Sequence, residues 1–307
     1  MWVVVLGGIP TMLNMTLAHL LRSEGYAKKA SAGIMFGGVL NIILDPILMF
    51  GIGMGFIGSA VATAFSNLAS ALFFLIVFYQ LRNKTAMSLS IRNFSMRFAI
   101  PVFSVGIASA LTTALANASN MVIVKLASGY GDISLAAYGI VKKIDLFPLG
   151  VCMGLCQGFM PLVGYNYAAK NYKRMRQISV FSWKTALIIA ASFVICFLCF
   201  APWIMGAFIQ DTQTGTLGAE FLRIACLAVP LTAVNALIIY TLQAMGKGIQ
   251  SAVLTICRQG FLNIPCLLLM NWLVGLYGMI WTQLIIEAMM LPITLGMYIA
   301  TSKKLMK

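Results

Sequence analysis

Charge is what this sequence has least of. Only 9% of its 307 residues are Asp, Glu, Lys or Arg, whereas 61% are hydrophobic, and the mean hydropathy is +0.95. So little polar surface cannot cover a soluble globular domain, which excludes that class. Segments of alternating polarity, the mark of membrane β-barrel strands, are also missing, so the apolar runs read as helices. A single His, no nucleophile constellation and no phosphate-binding loop argue against an enzyme. No basic stretch precedes the first apolar run, so no cleavable signal peptide is expected.

What the chain does have is runs of about 20 apolar residues, the length that crosses a hydrocarbon core of about 30 Å. The expected fold is an all-α, multi-pass bundle in the cell membrane with nine spans. They lie near 2–21, 31–51, 56–80, 98–124, 135–160, 180–206, 219–243, 250–271 and 277–300. The formal net charge of +14 gathers in alternate connections. Arg22, Lys28 and Lys29 form one group, Arg82, Lys84, Arg92 and Arg97 a second, and Lys170, Lys173, Arg174 and Arg176 a third. Lys303, Lys304 and Lys307 form the tail. Basic connections stay on the cytoplasmic side, so the C-terminus is expected there. The connections near Gly51, Gly129, Thr212 and Gly275, with the N-terminus, are expected outside. This distribution points to the lipid bilayer rather than nucleic acid as the partner of the positive charge. All seven cysteines, Cys196 and Cys199 among them, fall inside apolar spans, where a small packing residue is the expected role.

The stretch GGVLNIILDP, Gly37 to Pro46, interrupts this pattern. Asn41 and Asp45 are four residues apart and share one helix face. Pro46 donates no backbone hydrogen bond and crowds the carbonyl of Ile42, so a kink is expected. A carboxylate in hydrocarbon costs at least roughly 2.5–3.5 kcal/mol and normally faces a bundle interior or an aqueous cavity. Together these features read as a cation site, Na⁺ or H⁺ being open. The competing role for Asp45 is an interhelical hydrogen bond kept for packing.

An internal repeat runs through the chain. Leu40-Asn41-Ile42 followed by Gly55-Phe56-Ile57-Gly58 resembles Leu262-Asn263-Ile264 followed by Gly275-Leu276-Tyr277-Gly278. Gly25 and Gly246 precede each set at nearly equal distance. Spans one to three therefore resemble spans seven to nine. Six helices separate the copies, so both cross in the same direction, as in parallel-repeat transporters. A six-helix unit would leave spans one to three as the second half of one lobe.

Three segments carry a resemblance to a known family: LNIILDPILMFGIGMGFIGSAVAT from Leu40 to Thr63, AAYGIVKKIDLF from Ala136 to Phe147, and QGFMPLVGYNYAAK from Gln157 to Lys170. They resemble the multidrug and toxic compound extrusion (MATE) transporters, with Met160 where the family commonly has Gln. The resemblance implies two six-helix lobes. Residues 1–81 would then be the second half of the first lobe, 82–97 a cytoplasmic inter-lobe loop, and 98–307 a complete second lobe. It also implies a Na⁺- or H⁺-coupled antiporter that exports amphipathic, often cationic small molecules by alternating access, with no cofactor beyond the coupling ion. Asn41, Asp45 and Thr63 match the family's cation ligands on helices five and six. The acid that the family carries on helix one has no counterpart here. Another branch carries acids on helices seven and ten, and spans four and seven have none in their central turns. A flippase for lipid-linked saccharides on the same fold, or a non-transporting remnant, are the alternatives.

Further polar positions are candidates for a cavity. Thr63 shares a face with Ser59, Ser66, Asn67 and Ser70, which either lines a cavity or joins helices. Ser109, Thr113, Asn117 and Asn120 form a second stripe, and Gln157 sits in span five. Gly150, Gly154 and Gly158 repeat every four residues and are expected to permit close helix contact. Lys142, Lys143, Asp145, Arg258 and Glu287 place both charge signs inside the membrane, which calls for internal pairing or marks an ion or substrate route. Lys142 and Lys143 have the alternative of snorkelling to an interface. His19 reads as an interfacial polar group. Twenty Met and nineteen Phe supply a deformable apolar surface suited either to varied aromatic cations or to lipid.

Overall fold

The computed structural model describes residues 2–82 and 96–305. Lys84, Arg92 and Lys307 lie outside the described residues, and so do the side chains of Arg97, Ser109, Lys303 and Lys304. Two compact units emerge, Met1–Ser95 and Met96–Lys307. Among the described residues every regular element is helical.

The first unit holds α1 (Trp2–Ser23), α2 (Ala27–Pro46) and α3 (Gly55–Leu81). Its seam is set by small residues at helical spacing. On α3, Gly58, Ala62, Ser66, Ser70 and Phe74 recur every four positions and are all buried. Ala30, Gly33 and Gly37 of α2 form the opposing strip. Contact is so close that a Cβ on Gly33 would stand 2.3 Å from the Phe74 ring. Leu17, Leu21, Phe74, Val77, Phe78 and Leu81 close one end as an apolar cluster. After Pro46 the hydrogen-bonding pattern changes to a π-helical turn, Ile47–Gly51. A proline that withholds its N–H is a physical reason for that change.

The second unit holds α4 (Met96–Ser128), α5 (Asp132–Ala168), α6 (Tyr172–Phe208), α7 (Thr212–Cys226), α8 (Val229–Ala244), α9 (Gly248–Ile256), α10 (Asn263–Val274) and α11 (Leu276–Leu305). A second π-helical turn, Cys257–Leu262, joins α9 to α10. Among the described residues, side chains cap the starts of α6 and α7: Asn171 accepts from the Arg174 amide, and Asp211 from the Thr214 amide.

Among the described residues six helical stretches are long and apolar enough to cross a membrane: Ala27–Gly51, Gly55–Leu81, Asp132–Ala168, Tyr172–Phe208, Gly248–Val274 and Leu276–Ser302. The pair α7 and α8, bent by 43° at its break, makes a seventh if it is one span. The sequence suggested an unbroken span over 219–243. Pro230, at the start of α8, cannot donate to the carbonyl of Cys226, and the helix breaks between the two. Large apolar side chains point outward, with Phe56 at 91% and Trp272 at 80% exposure. A surface of that kind is at home in hydrocarbon.

The glycine strip of α5 is a correction. Gly150 and Gly154 were expected at a close helix contact, but an added Cβ on either, or on Gly158, would meet nothing within 4 Å. The packed face is rotated away from them. Cys152 and Cys156 are buried with Ala186, Ala190, Ala233 and Leu237. Larger Cys and Leu side chains fill that seam, so the glycines are not needed there.

The repeat has matching backbone conformations. Gly25 and Gly246 have φ of 84° and 72°, and Gly55 and Gly275 have 56° and 74°, values that L side chains rarely adopt. Gly58 and Gly278 each let a helix start against the backbone of the helix before it. A Cβ would lie 2.7 Å from the Leu48 carbonyl oxygen in one copy and 2.2 Å from that of Met270 in the other.

Candidate functional site

Within the first unit, α3 presents its hydroxyl and amide groups to both neighbouring helices. Asn41 donates through Nδ2 to Thr63 Oγ1 at 3.3 Å, and Thr63 donates to the Ser59 carbonyl at 3.0 Å. Asp45 lies one turn beyond Asn41. Its residue is half-buried, and its Oδ1 is fully buried without a hydrogen-bond partner. The Asn41 side-chain oxygen is an acceptor, and the Asp45 carboxylate, when ionised, can only accept as well. An ionised oxygen shielded from water and lacking a donor is costly, and a bound cation or a proton relieves the cost. Among the described residues no three His, Cys, Asp or Glu side chains cluster, so any cation held here would take neutral oxygens beside one carboxylate.

Asn67 is engaged elsewhere. Asn14 Nδ2 donates to Asn67 Oδ1 at 3.0 Å, Asn67 Nδ2 donates to Thr11 Oγ1 at 3.0 Å, and Thr11 donates to the Gly7 carbonyl at 2.9 Å. Ser70 Oγ lies within reach of both Asn14 Oδ1, at 3.0 Å, and the Gly33 carbonyl, at 2.7 Å. A directed hydrogen-bond chain thus joins α1 to α3. Of the two roles the sequence left open for this face, lining a cavity or joining helices, Asn67 takes the second here, with Thr11 and Asn14 as partners that the sequence did not single out. The available signal was the repeat: Asn14 stands eleven residues before Gly25, as Asn235 stands eleven before Gly246.

In the second unit the equivalent polar cluster is charged. Glu287 stands nine residues after Gly278, as Asn67 stands nine after Gly58. Its side chain is 0% exposed and pairs with Arg258 at 2.9 Å. Asn235 Nδ2 donates to Glu287 Oε2 at 2.7 Å, Gln283 Nε2 donates to Oε1 at 3.0 Å, and Thr294 Oγ1 donates to Asn235 Oδ1 at 2.8 Å. Each residue of the network therefore meets a partner, which offsets the cost of burying the pair, although Arg258 Nε itself has none.

Beside this network lies a cavity of about 250 Å³, bounded by α4, α5, α7, α8, α10, α11 and the turn that carries Arg258. Asn120, Lys142, Asp145, Arg258 and Gln283 line it. Lys143, singled out from the sequence with Asp145, is exposed; the adjacent Lys142 faces inward, its ammonium 5.8 Å from the Tyr138 ring centroid. Asn117 and Thr113 lie on exposed positions of α4, and Gln157 is half-buried on α5.

An all-helical bundle whose long helices present apolar side chains outward and charged networks inward defines a multi-pass membrane protein. The chain belongs to the MatE family, whose model matches residues 108–269. It is 33% identical over 276 residues to the multidrug export protein MepA of Staphylococcus saprophyticus, a match covering 90% of this chain and 61% of that protein. The MepA of Staphylococcus aureus is 31% identical over 281 residues, covering 91% and 61%. The chain thus spans about three fifths of the length of these relatives. Among solved structures, an outward-facing multidrug resistance MATE family transporter of the MOP superfamily superposes with a TM-score of 0.91. That match has 22% identity and covers 99% of this chain and 69% of the other, a likeness of fold.

Proposed function

We propose that the chain is part of a cation-coupled antiporter that exports amphipathic, often cationic small molecules by alternating access, with Na⁺ or H⁺ exchanging at Asp45. It would lie in the cell membrane with its C-terminus cytoplasmic. The observation that carries the reading is the buried, unpartnered Asp45 oxygen one turn from the Asn41–Thr63 hydrogen bond. A cation or proton there would neutralise the acid, and release would restore its charge. That change would bias which conformation is stable, and linkage requires substrate and ion to weaken each other's binding. A membrane potential of 100 mV supplies roughly 2.3 kcal/mol per charge. A tenfold ion gradient adds about 1.4 kcal/mol. One net charge would then sustain a substrate gradient of a few hundredfold.

Asp45→Asn tests the reading directly. The reconstituted variant should retain its helical content but lose efflux of a fluorescent cationic dye under an imposed Na⁺ or H⁺ gradient. Undiminished gradient-driven efflux would remove Asp45 from the mechanism.

A further inference from the structure

An open groove of about 540 Å³ runs along the outer side of the first turns of α6, between Lys173, Arg176, Gln177, Val180, Phe181 and Lys184. These six residues fall on a single face of the helix. Met175, Ser179, Ser182, Ala186 and Ala190, on the opposite face, are buried in the bundle. No acidic residue lies between Asp145 and Asp211 in the sequence. Among the described residues, Lys173, Arg176 and Lys184 enter no ion pair. Two aromatic rings frame the groove, and α5 holds both. Tyr172 packs on Tyr167 with centroids 6.1 Å apart, and Phe181 on Phe159 at 6.2 Å. Residues 185–208, which follow, carry no charged side chain. They span roughly 36 Å at 1.5 Å per residue, enough for a hydrocarbon core of about 30 Å, so Lys184 stands at its edge. Arg176 is roughly 12 Å further out. The polar headgroup layer, roughly 5–7 Å on each side of the core, falls between the two. Helical side chains lean towards the N-terminal end, which here leads the Lys184 ammonium out of the hydrocarbon and into that layer.

The geometry points to this groove as a binding site for an anionic phospholipid, with its phosphate between Arg176 and Lys184 and an acyl chain against Val180 and Phe181. The guanidinium fork matches phosphate oxygens, the lysines supply point charges on either side, and the Gln177 amide can donate to the headgroup. A zwitterionic headgroup brings a cation of its own towards three unopposed positive side chains, so net negative charge is selected. The order of the groove, charge outermost and apolar wall towards the core, is the order of groups in a membrane lipid. A free anion or an acidic protein segment would use the charges and leave the apolar wall uncovered. The inference requires only that α6 lies in a membrane and stands apart from the export reading.

The test is native mass spectrometry of the purified full chain, titrated in detergent with dioleoyl-phosphatidylglycerol or dioleoyl-phosphatidylcholine and read as the apparent affinity for the first lipid retained. The wild-type protein should retain phosphatidylglycerol in preference. Arg176→Gln combined with Lys184→Gln should weaken that binding roughly thirtyfold, the effect of two charges next to an anionic lipid. Lys170→Gln combined with Arg174→Gln removes the same charge from exposed positions beside the groove and should cost much less. Equal retention of the two lipids by the wild-type protein overturns the inference without any variant having to fold. Equal losses in the two double variants also overturn it, since they would mark a diffuse attraction to the basic turn. Glycerophosphoglycerol, the same headgroup without acyl chains, should fail to displace the lipid at equal concentration; displacement would leave an anion site and overturn the lipid assignment.

Discussion

Glu287 shows how a single ionisable side chain can organise a helix bundle. Its carboxylate takes Arg258, Asn235 and Gln283 and has no exposure to solvent. Glu287→Gln would leave the guanidinium of Arg258 buried without its counter-ion, and removing one partner of a buried pair typically costs about 3–5 kcal/mol. The variant should unfold earlier in thermal melts followed by circular dichroism. Arg258→Met combined with Glu287→Gln should recover much of the loss, because an apolar side chain then replaces the stranded charge. The pairing was only half visible beforehand. The sequence shows two opposite charges in apolar runs, but they are 29 residues apart and a π-helical turn resets the angle at which Arg258 leaves its helix. For the same reason Lys142 and Lys143 were not separable until the rotation of α5 was known.

At the scale of elements, the close backbone approaches of the repeat make sharper predictions than its apolar pattern. Gly278→Ala would drive a methyl into the Met270 carbonyl, which as backbone cannot turn aside. A cost of about 1–3 kcal/mol or more is expected, read as a lower melting temperature. Gly215→Ala, in a helix with open space around the new methyl, should be neutral or gain up to about 1 kcal/mol. The start of α7 gives a pH test. Hydrogen bonds from the Thr214 hydroxyl and amide to Asp211 hold its carboxyl below the ordinary aspartate range. A depressed folded-state value stabilises above the unfolded value and is lost as pH falls through the folded one. The stability difference between wild type and Asp211→Ala should therefore be present at neutral pH and close in strong acid. The glycine pairs were legible because positive φ and carbonyl contact leave a residue-type mark. The strip at Gly150, Gly154 and Gly158 was misread because spacing alone does not show which face of a helix is packed. Pro230 was in plain view, but the apolar run continuing through it concealed the break between α7 and α8.

For the whole molecule, the alternation of basic and neutral connections makes a claim about orientation that the helices alone cannot make. The turn at 129–131, between α4 and α5, carries no Lys or Arg. The next turn, at 169–171, leads from Lys170 into Lys173, Arg174 and Arg176 at the start of α6. Helix α5 between them has 37 residues, roughly 55 Å at 1.5 Å per residue, and exceeds a hydrocarbon core of about 30 Å. Both turns should therefore stand clear of the bilayer, on opposite sides. In intact cells Gly129→Cys should react with a membrane-impermeant maleimide, whereas Asn171→Cys should react only after the membrane is opened. A background without Cys196 and Cys199 is the appropriate host, since both are exposed on α6. Reaction of Asn171→Cys in intact cells would invert the arrangement and place the basic connections outside.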